Sequence, residues 1–112
     1  MKIEREFDHS FKNGTYKQGE LSLPFAVLQN WLGNPDAGTA DGKTDAEWVL
    51  IIDGFEIVTI HNWKNGTAYL GPEGLELSQM TEWTVGGHRD NAVSALGEAL
   101  DAAGITHTLK TL

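Results

Sequence analysis

The sequence predicts a single α+β domain in which a mainly antiparallel sheet packs with two helices. One observation is size, because 112 residues is a usual length for one domain. A second is composition: 40% of the residues are hydrophobic and four are tryptophan, which is enough to bury one core. The third is pattern, since β-type runs occupy the middle of the chain and helical periodicities lie on both sides of them. We therefore expect one domain over residues 1–112.

The central element is a predicted hairpin over about residues 46–63. Two runs rich in β-branched and aromatic side chains flank Asp53-Gly54, which is the pattern typical of a tight hairpin turn with positive φ at both turn residues. A two-residue turn places Trp48 opposite Thr59, with Trp48 buried. The same register pairs Ile52 with Phe55, Leu50 with Ile57 and Ala46 with His61. Because both faces of the hairpin are largely apolar, we expect it to be central and covered on both sides.

Helical periodicity predicts two helices, at about residues 22–32 and 90–103. In the first, Ser22 is the expected N-cap and Gly33 the residue that ends the helix. In the second, an apolar stripe is flanked by alanines that permit close packing, and Gly104 is the expected residue just beyond the C-terminus.

The remaining segments divide into further strands and two long loops. Strands are predicted at about residues 81–85 and 105–110, and residues 3–11 and 15–21 are predicted to form a hairpin around Asn13-Gly14. Two glycine-rich segments, 34–45 and 65–79, are predicted loops. Loops of this length often carry function, so they are the first places to look for a site.

Charge and cysteine content exclude several classes of function. Sixteen acidic and eight basic residues leave a net charge of −8, which argues against direct nucleic-acid binding, because phosphate contacts need clustered lysine and arginine. The chain has no cysteine, so disulfides and thiolate zinc sites are impossible. It also shows no signal-peptide pattern or membrane-spanning run, and we expect a cytoplasmic protein. The acidity either attracts a basic partner or simply maintains solubility.

One candidate site is the run from Trp83 through Gly86-Gly87 to His88 and Arg89, where a strand leads into a helix. Such a layout can point backbone N–H groups and the positive helix end at a phosphate or carboxylate, with Arg89 supplying charge and Trp83 a stacking surface. The run is not a P-loop, because the required lysine and spacing are absent. The structural alternative is a tight strand-to-helix turn capped by Asp90.

A second candidate is a positive, aromatic corner at the open end of the hairpin. The predicted register brings Lys43 and Lys64 together beside Trp63. Such a corner could hold a small anion such as a nucleotide by charge and stacking, or could form a contact with a protein. The alternative is that both lysines are paired with Asp41, Asp45 or Glu47.

Histidines and serines give no catalytic or metal-binding pattern. His9, His61, His88 and His107 are dispersed and lack metal-ligand spacing. Folding could still bring His61 and His107 together beside Glu47 or Asp45 as an acid–base group, although each histidine is explained equally by a structural hydrogen bond. The serines lack a nucleophile elbow. We therefore expect no metal, no cofactor and no enzymatic activity.

A spaced set of short motifs between residues 41 and 88 resembles small proteins encoded by bacteriophages. The motifs are Asp41-Gly42-Lys43, Glu47-Trp48, Asp53-Gly54, residues 59–64, Tyr69-Leu70-Gly71 and residues 82–88. The pattern contains no motif with an assigned reaction, so it indicates a source and transfers no catalytic residue. By analogy with anti-CRISPR proteins, the resemblance implies an accessory protein that binds and disables a bacterial protein.

These observations support two hypotheses of function. The first is a non-catalytic, phage-type protein that inhibits a host defence protein by occupying its basic surface. Its contact residues would be Asp36, Asp41, Asp45, Glu73, Glu76 and Trp63. The second is a protein that sequesters a nucleotide or another phosphate ligand, with self-association completing its pocket. Its binding residues would be Lys43, Lys64, Trp83, Gly86, Gly87, His88 and Arg89, with Trp63 as a second stacking group.

Overall fold

Seven strands form one antiparallel sheet in the computed structural model, which describes residues 1–112. The strands are β1 (Ile3–Arg5), β2 (Tyr16–Ser22), β3 (Asp36–Ala37), β4 (Ala46–Ile52), β5 (Glu56–His61), β6 (Glu82–Gly87) and β7 (Thr108–Thr111). Their order across the sheet is β1-β4-β5-β6-β2-β7, and β3 pairs with the part of β4 that β1 leaves free. The predicted α+β class with a central hairpin is confirmed.

Three α-helices and three short 3-10 helices complete the chain. The α-helices are α1 (Phe25–Leu32), α2 (Thr67–Leu70) and α3 (Asn91–Ala102), and the 3-10 helices are His9–Lys12, Gly71–Glu73 and Leu77–Gln79. Helix α2 and the last two 3-10 helices lie inside the segment predicted as a loop over residues 65–79. No helix has the length and apolar character needed to cross a membrane.

One face of the sheet forms the hydrophobic core with α1 and α3. Sixteen buried hydrophobic residues make up this cluster, to which β4, β5, β6 and β2 contribute alternate side chains. Trp48 and Trp83 pack edge to face with ring centroids 5.4 Å apart, and Phe25 of α1 lies against both. The other face of the sheet is called here the open face, and it carries the candidate site.

The predicted hairpin register is wrong by one residue. Asp53 and Gly54 do have positive φ (53° and 84°), but Phe55 joins them in the turn, and Ile52 pairs with Glu56. Trp48 therefore pairs with Ile60, and Thr59 pairs with Val49 on the opposite face. The physical reason is burial: this register places the apolar Val58 and Ile60 in the core, whereas the predicted one would have buried Thr59 and His61 there. Burial of Trp48 is confirmed.

The helix predictions are confirmed with corrections at their N-termini. Helix α1 begins at Phe25 after Pro24, and Ser22 is not its cap, because Ser22 belongs to β2 and its hydroxyl donates a hydrogen bond to Glu82 (2.6 Å). Gly33 ends α1 with φ of 88°, and Gly104 follows α3 with φ of 71°, as predicted.

The predicted N-terminal hairpin is wrong. The β1 strand pairs with β4, while β2 pairs with β6 and β7, so the two segments never meet as partners. A turn does occur at Asn13-Gly14, where Thr15 N–H donates to Lys12 O (2.9 Å). The segment before it, including the helix His9–Lys12, crosses the open face instead and covers its β4–β5 part.

Candidate functional site

The lysine–tryptophan corner predicted from the sequence exists, despite the wrong register. Lys64 N–H donates to Lys43 O (2.7 Å), which joins the two segments at the open end of the hairpin. The Lys43 and Lys64 ammonium groups lie 5.9 Å and 5.5 Å from the centroid of the Trp63 ring, and Lys64 also lies 5.6 Å from the Tyr69 ring. The Trp63 side chain is exposed, with 52% of its surface accessible. These four residues are called here the cationic corner.

A buried asparagine holds the backbone of this corner in place. Asn62 is fully buried, and its side-chain oxygen accepts hydrogen bonds from the N–H groups of Asp45 (2.7 Å) and Ala46 (3.0 Å). Its amide nitrogen donates to Asp45 and to Asn65, both at 2.9 Å. With four partners the side chain is satisfied. Asn62 thus ties the loop before β4 to the turn after β5, directly before Trp63.

Lys64 adopts a left-handed backbone conformation with φ of 57°, which is uncommon for a residue other than glycine. Residues held in such conformations cluster at functional sites, where the surrounding structure maintains them. Its bond to Lys43 and its contacts with two aromatic rings are the constraints that hold it.

The cationic corner is weakly neutralised by the protein's own carboxylates. Lys43 lies 3.8 Å from Asp41, a long and exposed ion pair, and Lys64 has no carboxylate within 4.0 Å. Asp41 is engaged by its own loop: a hydrogen bond from the Thr39 hydroxyl, together with one from Lys43 N–H, lowers the pKa of its carboxyl group. Of the two lysines, only Lys43 is therefore paired with a carboxylate, and that ion pair is weak.

A groove of about 460 Å³ lies on the open face beside Trp63. Strands β5 and β6 supply its floor, and the residues around Tyr16 of β2 supply another side. A smaller cavity of about 270 Å³ adjoins it and shares Lys17, Trp63 and Thr84 with it. The lining of the larger groove comprises Thr15, Tyr16, Lys17, Thr59, His61, Trp63, Thr84 and Gly86.

His61 forms part of this groove and stays neutral near pH 7. Burial lowers the pKa of its imidazole; the Glu47 carboxylate opposes that effect, and the Lys12 ammonium group adds to it. Its Nδ1 atom is buried without a hydrogen-bond partner and lies 3.9 Å from Glu47. The ring meets Trp63 edge to face, with centroids 6.3 Å apart.

Behind His61, a network of charged side chains joins the N-terminal segment to the sheet. Glu47 is buried in β4 and accepts a hydrogen bond from Lys12, with His9 Nδ1 3.7 Å away. His9 also bonds Asp36 (2.9 Å), whose carboxylate accepts a hydrogen bond from Arg5 (3.1 Å). This network was not predicted from the sequence. The one local sign of it is a charged residue, Glu47, inside an apolar strand, and the partners of Glu47 are too distant in the chain to be recognised from a local pattern.

Comparisons with known proteins assign no family to the chain. No protein-family model matches it, and no match was found among curated proteins or among solved structures.

The Gly86-Gly87 run does not have the predicted geometry. Both glycines belong to β6 and pair with β2 on one side and β5 on the other, so the sheet engages their backbone groups. Trp83 is buried and donates its indole N–H to Leu23 O (2.8 Å), which removes it as a stacking surface. Arg89 donates to Glu56 (3.1 Å).

The turn before α3 also differs from both sequence-based interpretations. The Asp90 side chain makes no capping bond at α3. His88 is exposed, and its Nε2 lies 3.1 Å from Phe11 O, which ties this turn to the N-terminal segment.

Of the acidic residues predicted to contact a partner, some are held by bonds to distant parts of the chain and others are exposed on the surface. Asp36 is held by Arg5 and His9, Asp45 by Asn62 and by Ala68 N–H, and Glu76 caps a 3-10 helix. Asp41 and Glu73 are exposed on the two loops. Fewer of these carboxylates than the sequence predicted are therefore available to contact another molecule.

His61 and His107, which folding could have brought together, do not meet. His61 lies on β5, whereas the imidazole Nδ1 of His107 lies 2.8 Å from Ile105 O, just before β7 at the far edge of the sheet. No group of three or more histidine and carboxylate side chains is arranged to hold a metal ion.

Proposed function

We propose that this protein binds a small organic anion, of the nucleotide or phosphate class, at the cationic corner, and acts by holding that ligand. The observation that carries the proposal is the placement of two ammonium groups against one exposed indole ring, with no close carboxylate at Lys64. Cations beside an aromatic ring attract an anion that also presents a flat group for stacking. The ammonium groups would attract the anion and the indole ring would stack on its flat group, and together these contacts would hold the ligand.

The cationic corner differs in sign from the rest of the protein, which carries a net charge of −8. An acidic protein repels anions at long range, so the corner is a local exception to the field of the whole molecule. Salt screens the long-range repulsion, whereas direct contacts at the corner are shorter than a Debye length, which is about 8 Å at physiological ionic strength. Binding should therefore survive moderate salt.

Thermal-shift measurements with mono-, di- and cyclic nucleotides, phosphate and pyrophosphate test the proposal. A ligand at 100 times its dissociation constant should stabilise the fold by about 2.7 kcal/mol. Lys64→Gln and Trp63→Ala should abolish the shift. Lys2→Gln removes the same charge from an exposed side chain in the N-terminal segment and should leave it unchanged. The proposal is wrong if no compound in the panel stabilises the natural protein.

A second candidate function is supported by an exposed apolar patch that includes Tyr69 of the corner. Tyr69, Leu70 and Leu75 are all exposed on the segment after Lys64, and patches of this kind mark contacts with other proteins. The exposed carboxylates of Asp41 and Glu73 would favour a basic partner. If the chain is encoded by a bacteriophage, as the motif resemblance implies, that partner is a host defence protein which this chain inhibits by occupying its surface.

Pull-down from bacterial lysate at low salt distinguishes this candidate from ligand sequestration. A specific partner should be retained by the natural protein and lost with Leu70→Ser. Phe55→Ser, which alters another exposed apolar side chain, should retain it. Equal retention by all three proteins would show that the patch is not the interface.

A further inference from the structure

Polar groups on the floor of the open-face groove have no hydrogen-bond partner in the protein. Thr59 is only 2% exposed and lines the groove, and no protein atom bonds its hydroxyl group. The Thr84 hydroxyl is unpartnered in the same way. Neither ring nitrogen of His61 has a partner, and its Nδ1 is the atom that faces Glu47, which leaves Nε2 for the groove. Because unpartnered buried polar groups are unfavourable, their clustering indicates that another molecule supplies the partners.

The pairing of the central strands sets these groups side by side. Thr59 pairs with Gly86, and His61 pairs with Thr84, so the four residues form two adjacent rows on the open face. The glycine leaves space for the floor: a Cβ atom at Gly86 would lie 2.4 Å from the Thr59 hydroxyl oxygen. The hydroxyl therefore lies directly over the strand, within reach of a molecule in the groove.

The groove is close to neutral, unlike the cationic corner. Lys17 is the one charged residue in its lining, and its ammonium group donates a hydrogen bond to the Glu20 carboxylate (2.8 Å). The His61 imidazole is neutral near pH 7, because burial lowers its pKa. Threonine hydroxyls and a neutral imidazole can each donate or accept a hydrogen bond. These groups suit an uncharged partner that is itself rich in hydroxyl groups.

Trp63 supplies an apolar wall beside these polar groups. Its ring borders the groove and is 52% exposed. The face of an indole ring carries partial negative charge, which attracts the weakly positive C–H groups of a saturated ring. A sugar ring presents C–H groups on its face and hydroxyl groups around its edge, so it matches both the wall and the floor.

We propose that the groove binds a sugar ring, with Trp63 against its C–H face and the unpartnered polar groups of the floor bonded to its hydroxyls. This inference goes beyond the proposed function, because the groove and the cationic corner share only Trp63. The sugar is either a free saccharide or the ribose of a nucleotide held at the corner.

NMR titration of the amide signals with glucose, galactose, N-acetylglucosamine, ribose and ribose 5-phosphate tests the inference. At least one of these sugars should shift the amides of Thr59, Thr84 and Gly86 and the indole N–H of Trp63. Thr59→Val removes the hydroxyl and keeps the side-chain shape, and it should weaken binding about fivefold or more, as expected for one lost hydrogen bond. Thr59→Ser should retain binding. Thr111→Val, at an exposed position on β7, is the control and should have no effect.

The Lys64→Gln variant separates the two sources of the sugar. If ribose 5-phosphate alone shifts the groove amides and Lys64→Gln abolishes the effect, the sugar belongs to the ligand of the corner. If neutral saccharides shift them and Lys64→Gln has no influence, the groove is a saccharide site in its own right, whatever nucleotides do at the corner.

Two outcomes would overturn the inference. One is that no sugar shifts the groove amides, and the other is that Thr59→Val binds as tightly as the natural protein. The dispersion of each variant's spectrum shows whether the variant is folded. Failure of the groove leaves the corner proposal standing if nucleotides still stabilise the natural protein and Lys64→Gln removes that stabilisation.

Discussion

At the scale of single residues, Asn62 contributes most to the geometry of the site. It is the one fully buried polar side chain in the molecule, and each of its hydrogen-bonding groups has a partner. A buried amide whose hydrogen bonds are all made is costly to replace, because its former partners lose those bonds and remain shielded from water. Trp63 and Lys64, which contact the ligand in our proposed function, are exposed, so stability and binding depend on different side chains.

Replacing Asn62 by leucine should destabilise the fold by roughly 2–5 kcal/mol, because the N–H groups of Asp45 and Ala46 would be left without a partner. Urea denaturation followed by tryptophan fluorescence measures the change. Asn91→Leu, at an exposed position that makes no side-chain hydrogen bond, is the control and should change stability by about 0.5 kcal/mol or less. A loss below 1 kcal/mol for Asn62→Leu would contradict its structural role.

At the scale of elements, the approach of α3 to the sheet depends on a glycine. A Cβ atom at Gly87 of β6 would lie 2.4 Å from the Ala92 Cβ of α3 and 3.2 Å from Ile57 O. Two small residues therefore allow the helix to pack closely against the strand. In this part of the chain the glycine pair serves sheet packing, and the sequence alone had suggested an anion site.

Gly87→Ala should destabilise the protein by about 1–3 kcal/mol, because α3 must shift away from β6. Adding Ala92→Gly should recover part of the loss by restoring the space. Gly97→Ala is the matched control: its Cβ would meet only Leu109 at 3.4 Å, and alanine in place of glycine favours a helix by up to about 1 kcal/mol. Thermal denaturation distinguishes the two. Equal effects of Gly87→Ala and Gly97→Ala would refute the packing explanation.

At the scale of the whole molecule, stability should decrease from the centre of the sheet to its edges. Strands β4, β5 and β6 have partners on both sides and contribute to the core, whereas β7 pairs only with β2 and is mostly exposed. The open-face groove lies over β5, β6 and β2, in the central part of the sheet. A rigid floor reduces the ordering cost of binding.

Hydrogen–deuterium exchange should be slowest in β4, β5 and β6 and faster in β7, because edge-strand amides are less protected and terminal strands open locally. Amide exchange followed by NMR or mass spectrometry measures this order. Protection in Thr108–Thr111 equal to that at Val58 would show that the sheet opens as one unit.

The sequence by itself was sufficient for the features that depend on local pattern. Hydrophobic periodicity predicted the α+β class and the helices that became α1 and α3, and Asp53-Gly54 predicted a turn with positive φ. Gly33 and Gly104 marked the helix ends because few other residues adopt positive φ readily. The corner of Lys43, Trp63 and Lys64 was also predicted, since any antiparallel hairpin with its turn at Asp53-Gly54 brings residues near 43 and 64 together.

The tertiary structure decided which side chains share a face and which are free. Phe55 entered the turn because burial of Val58 and Ile60 outweighed the shortest possible loop, and that shift placed Thr59 and His61 on the open face. Trp83 is likewise buried in the core, so its ring cannot stack on a ligand. The groove itself needs β5, β6 and β2 side by side, and the pairing of strands so distant in the chain is set by packing of the whole core, which no local pattern encodes.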